Sequence, residues 1–214
     1  MLDPPRRSAR PTRSFRPPQL RSTRVALTEF DINVPAVIEQ RRTLLDETGG
    51  LTPADLRALT AEVYDRLTEL TADLDDAAVG FVPDDPRADP EEGDGWTLGH
   101  VVVHLTAGLE ENAAQGCTLA RGAEITGRPR VETPWEEVAT AAQVRQRLAE
   151  SRRITTAFLD AWPDAPKLDN VHQHPFFGPT DAVAYHALGL SHAKGHLPQL
   201  AETRRQAALA MVAV

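Results

Sequence analysis

Leu56, Leu59, Val63, Leu67, Leu70 and Leu74 recur at steps of three and four, which lays one apolar stripe along an α-helix. Thr52-Pro53-Ala54-Asp55 opens that helix, with the hydroxyl as N-cap and proline at the first helical position, so it is expected from about Thr52 to Leu74. A second helix is expected from Trp96-Thr97 to about Arg121. Leu98, Val102, Leu105 and Leu109 form its core stripe, and Val101, His104, Gly108 and Glu111 an adjoining one. A third spans Pro134 to Trp162, with Trp135 at its start and Val138, Val144, Leu148, Ile154, Phe158 and Leu159 as apolar positions before Pro163 and Pro166. A fourth spans Pro179 to Leu209, where Tyr185, Leu188, His192, Gln199 and Leu200 face inward. Val34 to Asp46 predicts a short helix that Gly49-Gly50 terminates, and almost nothing alternates as a strand would. Four long helices, each with one apolar face, satisfy one another as an antiparallel four-helix bundle, an all-α fold. Pro83 to Gly95 holds three prolines and many acids, and reads as a long loop of the kind that borders a site.

Composition narrows the setting. With 41% hydrophobic and 25% charged residues in 214, the chain can bury a core. One cysteine, Cys117, excludes an internal disulfide, points to a reducing cytoplasm and reads as a small apolar packing residue. No apolar run approaches the roughly 18 residues that a membrane span needs.

Charge is unevenly spread. Residues 1–24 hold seven arginines against one acid, Asp3, a balance of +6, so the other 190 residues carry −14 of the total −8. An acidic body argues against nucleic acid as a partner of the main domain, because phosphate contacts need clustered Lys and Arg. The basic segment also contains Pro4, Pro5, Pro11, Pro17 and Pro18 and few large apolar residues, so it is expected to be disordered. Arg6-Arg7 is followed by Ser8-Ala9-Arg10-Pro11 and not by the apolar region of an export signal. The segment reads as the product of a misassigned start codon, as an unstructured tail, or as a tail that touches acidic partners. The expected organisation is a disordered basic tail over 1–28, an N-terminal extension over 29–50 and a helical bundle over 51–214.

Candidate chemistry centres on three histidines. His192 and His196 stand one helical turn apart, so both imidazoles leave one face about 5–6 Å apart at Cβ. That spacing lets a helix grip one metal ion with two nitrogens. His104, in a separate apolar helix, supplies a third ligand if the second and fourth helices are neighbours. Three protein ligands leave a coordination position open, as chemistry requires, whereas a structural site is closed. All-nitrogen coordination suits zinc, nickel, copper or iron(II) better than magnesium or calcium. Glu111, two turns above His104, is a candidate base or a partner of a ligand, and Gln199 can hydrogen-bond a ligand or a water. Gly108 and Gly189 remove volume beside the ligands, either for a substrate or for close helix packing. Pro198 is expected to kink its helix, either tilting His196 or bending the helix around the core. His100 reads as structural or as near the pocket. His172 and His174 fall in a loop, and His186 sits off the inward stripe.

The segments Gly95-Trp96-Thr97-Leu98-Gly99-His100-Val101-Val102-Val103-His104-Leu105, His174-Pro175-Phe176-Phe177-Gly178-Pro179 and His192-Ala193-Lys194-Gly195-His196-Leu197-Pro198-Gln199-Leu200 resemble those of the DinB/YfiT-like superfamily of small metal-binding bundles. The resemblance covers about residues 52–209. It implies a four-helix bundle of up-down-down-up type, a zinc or nickel ion on His104, His192 and His196, and often a homodimer. It also implies transfer of a low-molecular-weight thiol, of the bacillithiol or mycothiol type, to a small electrophilic substrate. One branch of the family is a thiol-dependent maleylpyruvate isomerase. A metal-dependent hydrolase, a non-catalytic metal-binding stress protein and a descendant that binds no metal stay open as alternatives. Pro198 departs from the family's regular last helix, and the first 50 residues have no counterpart there.

Overall fold

The computed structural model describes residues 25–84, 95–129 and 133–212. The expected basic tail up to Arg24 and most of the expected acidic loop, residues 85–94, lie outside the described residues.

Helices carry the structure. In chain order they are α1 (Val34–Ile38), α2 (Leu44–Thr48), α3 (Pro53–Thr71), α4 (Asp76–Val79), α5 (Leu98–Ala120), α6 (Ala141–Asp160) and α7 (Ala182–Val212), with a 3-10 turn at Trp135–Glu137 and two short strands, β1 (His172–His174) and β2 (Gly178–Thr180). Among the described residues no helix is long and apolar enough to cross a membrane. α3 and α5 each pack against both α6 and α7, and the α5–α7 pair is the most extensive. The stripes read from the sequence meet between them. Leu56, Leu59, Val63 and Leu67 of α3, Leu98, Val102, Leu105 and Leu109 of α5, Val144, Leu148 and Leu159 of α6, and Leu200 of α7 are all buried. Each such side chain contributes about 1.5–3 kcal/mol by leaving water.

Local chemistry sets the element ends. Thr52 is the expected N-cap of α3, and Asp55 completes a reciprocal capping box with it. The single helix expected over Val34–Asp46 is two. Asn33 caps α1, Gln40 takes a positive φ of 56°, and a Thr43–Asp46 capping box starts α2, which ends at Gly49. The third helix is also shorter than expected, because Thr140 and Gln143 form their own capping box and begin α6 at Ala141. Trp135 lies in the preceding 3-10 turn and is 40% exposed. The fourth helix begins at Ala182, where Asp181 Oδ1 accepts the Ala184 N–H at 2.8 Å, and it continues through Pro198 without ending.

Two further features depart from the reading of the sequence. β1 and β2 pair antiparallel, His172 opposite Thr180 and His174 opposite Gly178, where a loop was expected. Three-residue strands are too short to show alternation. His186, expected off the inward stripe, is 2% exposed. The physical reason is that α7 is covered on two sides, by α5 and by α3. Thr60 of α3 donates to the Leu56 carbonyl and accepts from His186 Nε2 at 2.8 Å.

The segment ahead of α3 is packed on the body. Leu27, Phe30 and Ile32 are buried, the Leu27 N–H donates to Glu62 Oε2 at 2.9 Å, and Lys194 Nζ donates to the Phe30 carbonyl. α2 rests against α7. This contact ties the N-terminal segment to the helix that carries two of the three candidate ligands.

Candidate metal centre

α5 and α7 bring His104, His192 and His196 to one point. His192 Nε2 lies 3.1 Å from His104 Nε2 and 3.2 Å from His196 Nε2. The ligand atoms of all three fall within 4.8 Å of one another. Nitrogens about 2.0–2.1 Å from one tetrahedral ion sit about 3.3 Å apart, so the two spacings from His192 are close to what a shared cation imposes. Proton placement points the same way. His196 Nδ1 lies 2.7 Å from Gln199 Oε1, a pure acceptor, so Nδ1 carries the proton and Nε2 of the neutral ring keeps its lone pair toward the other two rings. His192 Nε2, between two ring nitrogens, can donate to one at most. A donor set of converging lone pairs fits a divalent ion of the zinc or nickel class. No fourth His, Cys, Asp or Glu joins the group among the described residues.

The surroundings hold the rings in place. Thr97 caps α5 by accepting the His100 N–H at 3.2 Å, which sets His104 two turns into the helix. Trp96 lies 4.7 Å from the His104 ring, centroid to centroid, and 4.4 Å from His100. Trp135 closes the stack on the far side of His100 at 4.8 Å. His100 is thus a spacer between two tryptophans, which is the supporting role open to it from the sequence. The two glycines differ. A Cβ added at Gly108 would lie 3.3 Å from His192 Nδ1, so this glycine makes room for a candidate ligand. A Cβ at Gly189 would lie 2.8 Å from the Asn112 Cβ, so that glycine serves the α5–α7 approach.

A cavity of about 570 Å³ adjoins the triad. His104 and His192 line it, as do Glu111, Asn112 and Gln115 of α5, and Arg128 in the loop that follows. The hairpin supplies His172, His174, Phe176 and Phe177, and α7 supplies Tyr185. Glu111 receives Arg128 at two points, 2.5 and 3.1 Å. Gln199 is not among the lining residues, and its contact is with His196. Gln115 Nε2 donates to the Gly127 carbonyl at 3.0 Å and so ties the Arg128 loop to α5.

Burial tunes several groups. It is the main cause that pushes the Tyr185 phenol up to about 12, with the Glu111 charge adding to it. Burial also holds His174 below the ordinary imidazole value, helped by His172. Full burial takes His186 down to about 3. Cys117 is buried, and its thiol is pushed up by that burial, in keeping with a packing role.

Sequence reasoning missed the hairpin's contribution to the cavity, together with Asn112 and Arg128, whereas Tyr185 was expected to face inward with His192. The His174–Pro179 segment was a visible signal, whereas nothing around Arg128 announced a site. The profile of the DinB superfamily matches residues 59–200, from α3 past both α7 histidines. No curated protein and no solved structure gives a match.

Proposed function

The chain belongs to the DinB superfamily, and from that premise we propose that it is a metal-dependent enzyme that transfers a low-molecular-weight thiol to an electrophilic small molecule. His104, His192 and His196 would hold the ion, zinc or nickel, and the four long helices are read as the family's up-down-down-up bundle. The observation that carries this reading is the convergence of three imidazole Nε2 atoms beside a cavity large enough for a small substrate. When bound, the ion supplies Lewis acidity that draws a thiol's pKa toward neutrality.

The chain's own residues divide the remaining work. Gln199 is a positioning residue, because its Oε1 fixes the His196 tautomer that keeps Nε2 available. Trp96 and His100 brace the His104 ring. Glu111 lines the cavity as a carboxylate oriented by Arg128, and it serves as the acceptor for the proton that the incoming thiol loses. The apolar wall made by Phe177 and Leu188 limits water around the reacting thiol.

The absence of a fourth ligating side chain among the described residues favours a catalytic over a purely structural centre, since structural sites are closed by four protein ligands. The test has two stages. Protein purified without a histidine tag is loaded with zinc or nickel, dialysed and assayed for metal, beside His104→Ala and His192→Ala. One equivalent is expected in the parent and a loss in both variants. Loaded protein is then given a panel of bacterial thiols with a generic electrophile. Equal metal in all three proteins ends the triad reading. Retained metal with no metal-dependent rate for any thiol ends the transferase reading alone.

A further inference from the structure

The hairpin end of the cavity contains polar atoms that the triad does not use. His174 Nδ1 accepts the N–H groups of Phe176 and Phe177 at 3.1 and 3.2 Å. A neutral imidazole that accepts at Nδ1 carries its proton on Nε2, so the remaining polar atom of His174 is a donor. No protein group among the described residues receives it. Tyr185 is 5% exposed, and its hydroxyl likewise has no protein partner there. Neither atom is sealed from solvent, and both residues line the cavity, so water or a molecule held in the cavity is the partner of each. The His174 and Tyr185 ring centroids lie 5.8 Å apart, so the two residues are neighbours on the cavity wall.

The rest of the hairpin fixes the chemical class. Phe177 packs 4.8 Å from the His174 ring, and Phe176, also lining the cavity, is 77% exposed. An apolar ring held out in water beside a cavity is a surface for an apolar body to cover. The neighbouring charges, Glu111 and Arg128, already neutralise each other. The pole therefore offers two neutral donors and a pair of aromatic faces, with no net charge to draw an anion.

We propose that the hairpin pole is a subsite for an uncharged carbonyl group on an aromatic or conjugated body, with Tyr185 Oη–H and His174 Nε2–H donating to the carbonyl oxygen and Phe176 and Phe177 covering the apolar part. This rests on the reading of the cavity as a small-molecule site and narrows the electrophile to carbonyl-activated compounds. It does not need the ion to be bound.

The test is therefore made on metal-free full-length protein. Acetophenone is titrated with amide shifts recorded by NMR, beside ethylbenzene, which lacks the carbonyl, and benzoate, which replaces it with an anion. Acetophenone is expected to bind tightest of the three. Tyr185→Phe removes only the hydroxyl. His174→Asn keeps an acceptor where Nδ1 stands, so the turn amides stay satisfied while the Nε2 donor is lost. Each is expected to weaken acetophenone by about five- to tenfold, the worth of one hydrogen bond, and to leave ethylbenzene unchanged. Overlay of the remaining amide signals confirms that each variant folds. Ethylbenzene or benzoate equal to acetophenone overturns the proposal, as does an unchanged acetophenone affinity in both variants or no acetophenone binding up to its solubility limit. Zinc uptake by the same preparations, lost in His104→Ala, reports on the triad reading independently.

Discussion

Gln199 and His186 show how differently two polar side chains on one helix act. Gln199 reaches His196 Nδ1 at 2.7 Å, and partners of this kind are worth about 10–100-fold in metal affinity. Gln199→Leu is expected to weaken zinc binding by that factor in a chelator competition, and Gln199→Glu, which keeps an acceptor, to restore it. Equal affinities in all three proteins would remove Gln199 from the site. His186 is held neutral in the interior, its folded pKa about 3 against an unfolded value near 6.5. The unfolded chain therefore binds the extra proton between those values. The stability contribution is complete above pH 6.5 and is lost as pH falls toward 3, at a slope of up to about 1.4 kcal/mol per pH unit. His186→Gln removes the titration. The loss of urea stability between pH 7 and pH 5 is expected to be smaller in that variant than in the parent, and identical losses would contradict the assignment. The role of His186 was not legible from the sequence. A stripe drawn on one face of α7 says nothing of a second face that α3 also covers, and Thr60 becomes its partner only through tertiary packing.

At the scale of elements, the α5–α7 contact builds the centre, and two glycines tune it separately. Gly189→Ala places a Cβ against the Asn112 Cβ, so the loss from overpacking, about 1–3 kcal/mol, outweighs the gain in helix propensity. Gly108→Ala presses on the His192 ring and is expected to lower zinc affinity more than it lowers melting temperature. Thermal melts and zinc titrations on both variants check the pair of expectations, and a G108A protein with parental zinc affinity would contradict the second. Long periodic segments were legible. The stripes of α3 and α5 and the Thr52 cap appear where their residues place them, because burial of one face is decided within the helix itself. Short segments were not. Gln40 interrupts the expected first helix with a positive φ, and Thr140 restarts the third with a capping box that a run of apolar positions conceals. The hairpin is fixed by contacts, such as His174 Nδ1 to the turn amides, that three-residue strands do not encode as a pattern.

For the whole molecule, the triad joins α5 to α7, and α7 in turn carries α2 and the segment around Phe30. An ion bound to the folded state alone stabilises by mass action, about 2.7 kcal/mol at a concentration one hundred times its dissociation constant. Zinc is expected to raise the melting temperature of the parent and to leave His104→Ala unmoved, with chelator reversing the rise. The His-x3-His spacing and His104 together made the histidine cluster legible as a candidate, since helical period fixes two rings and a buried helix offers the third. The neighbouring cavity was not legible, because its walls come from α5, α7, the hairpin and the Arg128 loop at once. The most direct measurement of the central claim is X-ray absorption at the metal edge of zinc-loaded protein. A nitrogen and oxygen shell at about 2.0–2.1 Å with multiple scattering from three imidazoles, lost in His192→Ala, is the expected result. A sulfur shell near about 2.3 Å, or a spectrum that His192→Ala leaves unchanged, would contradict it.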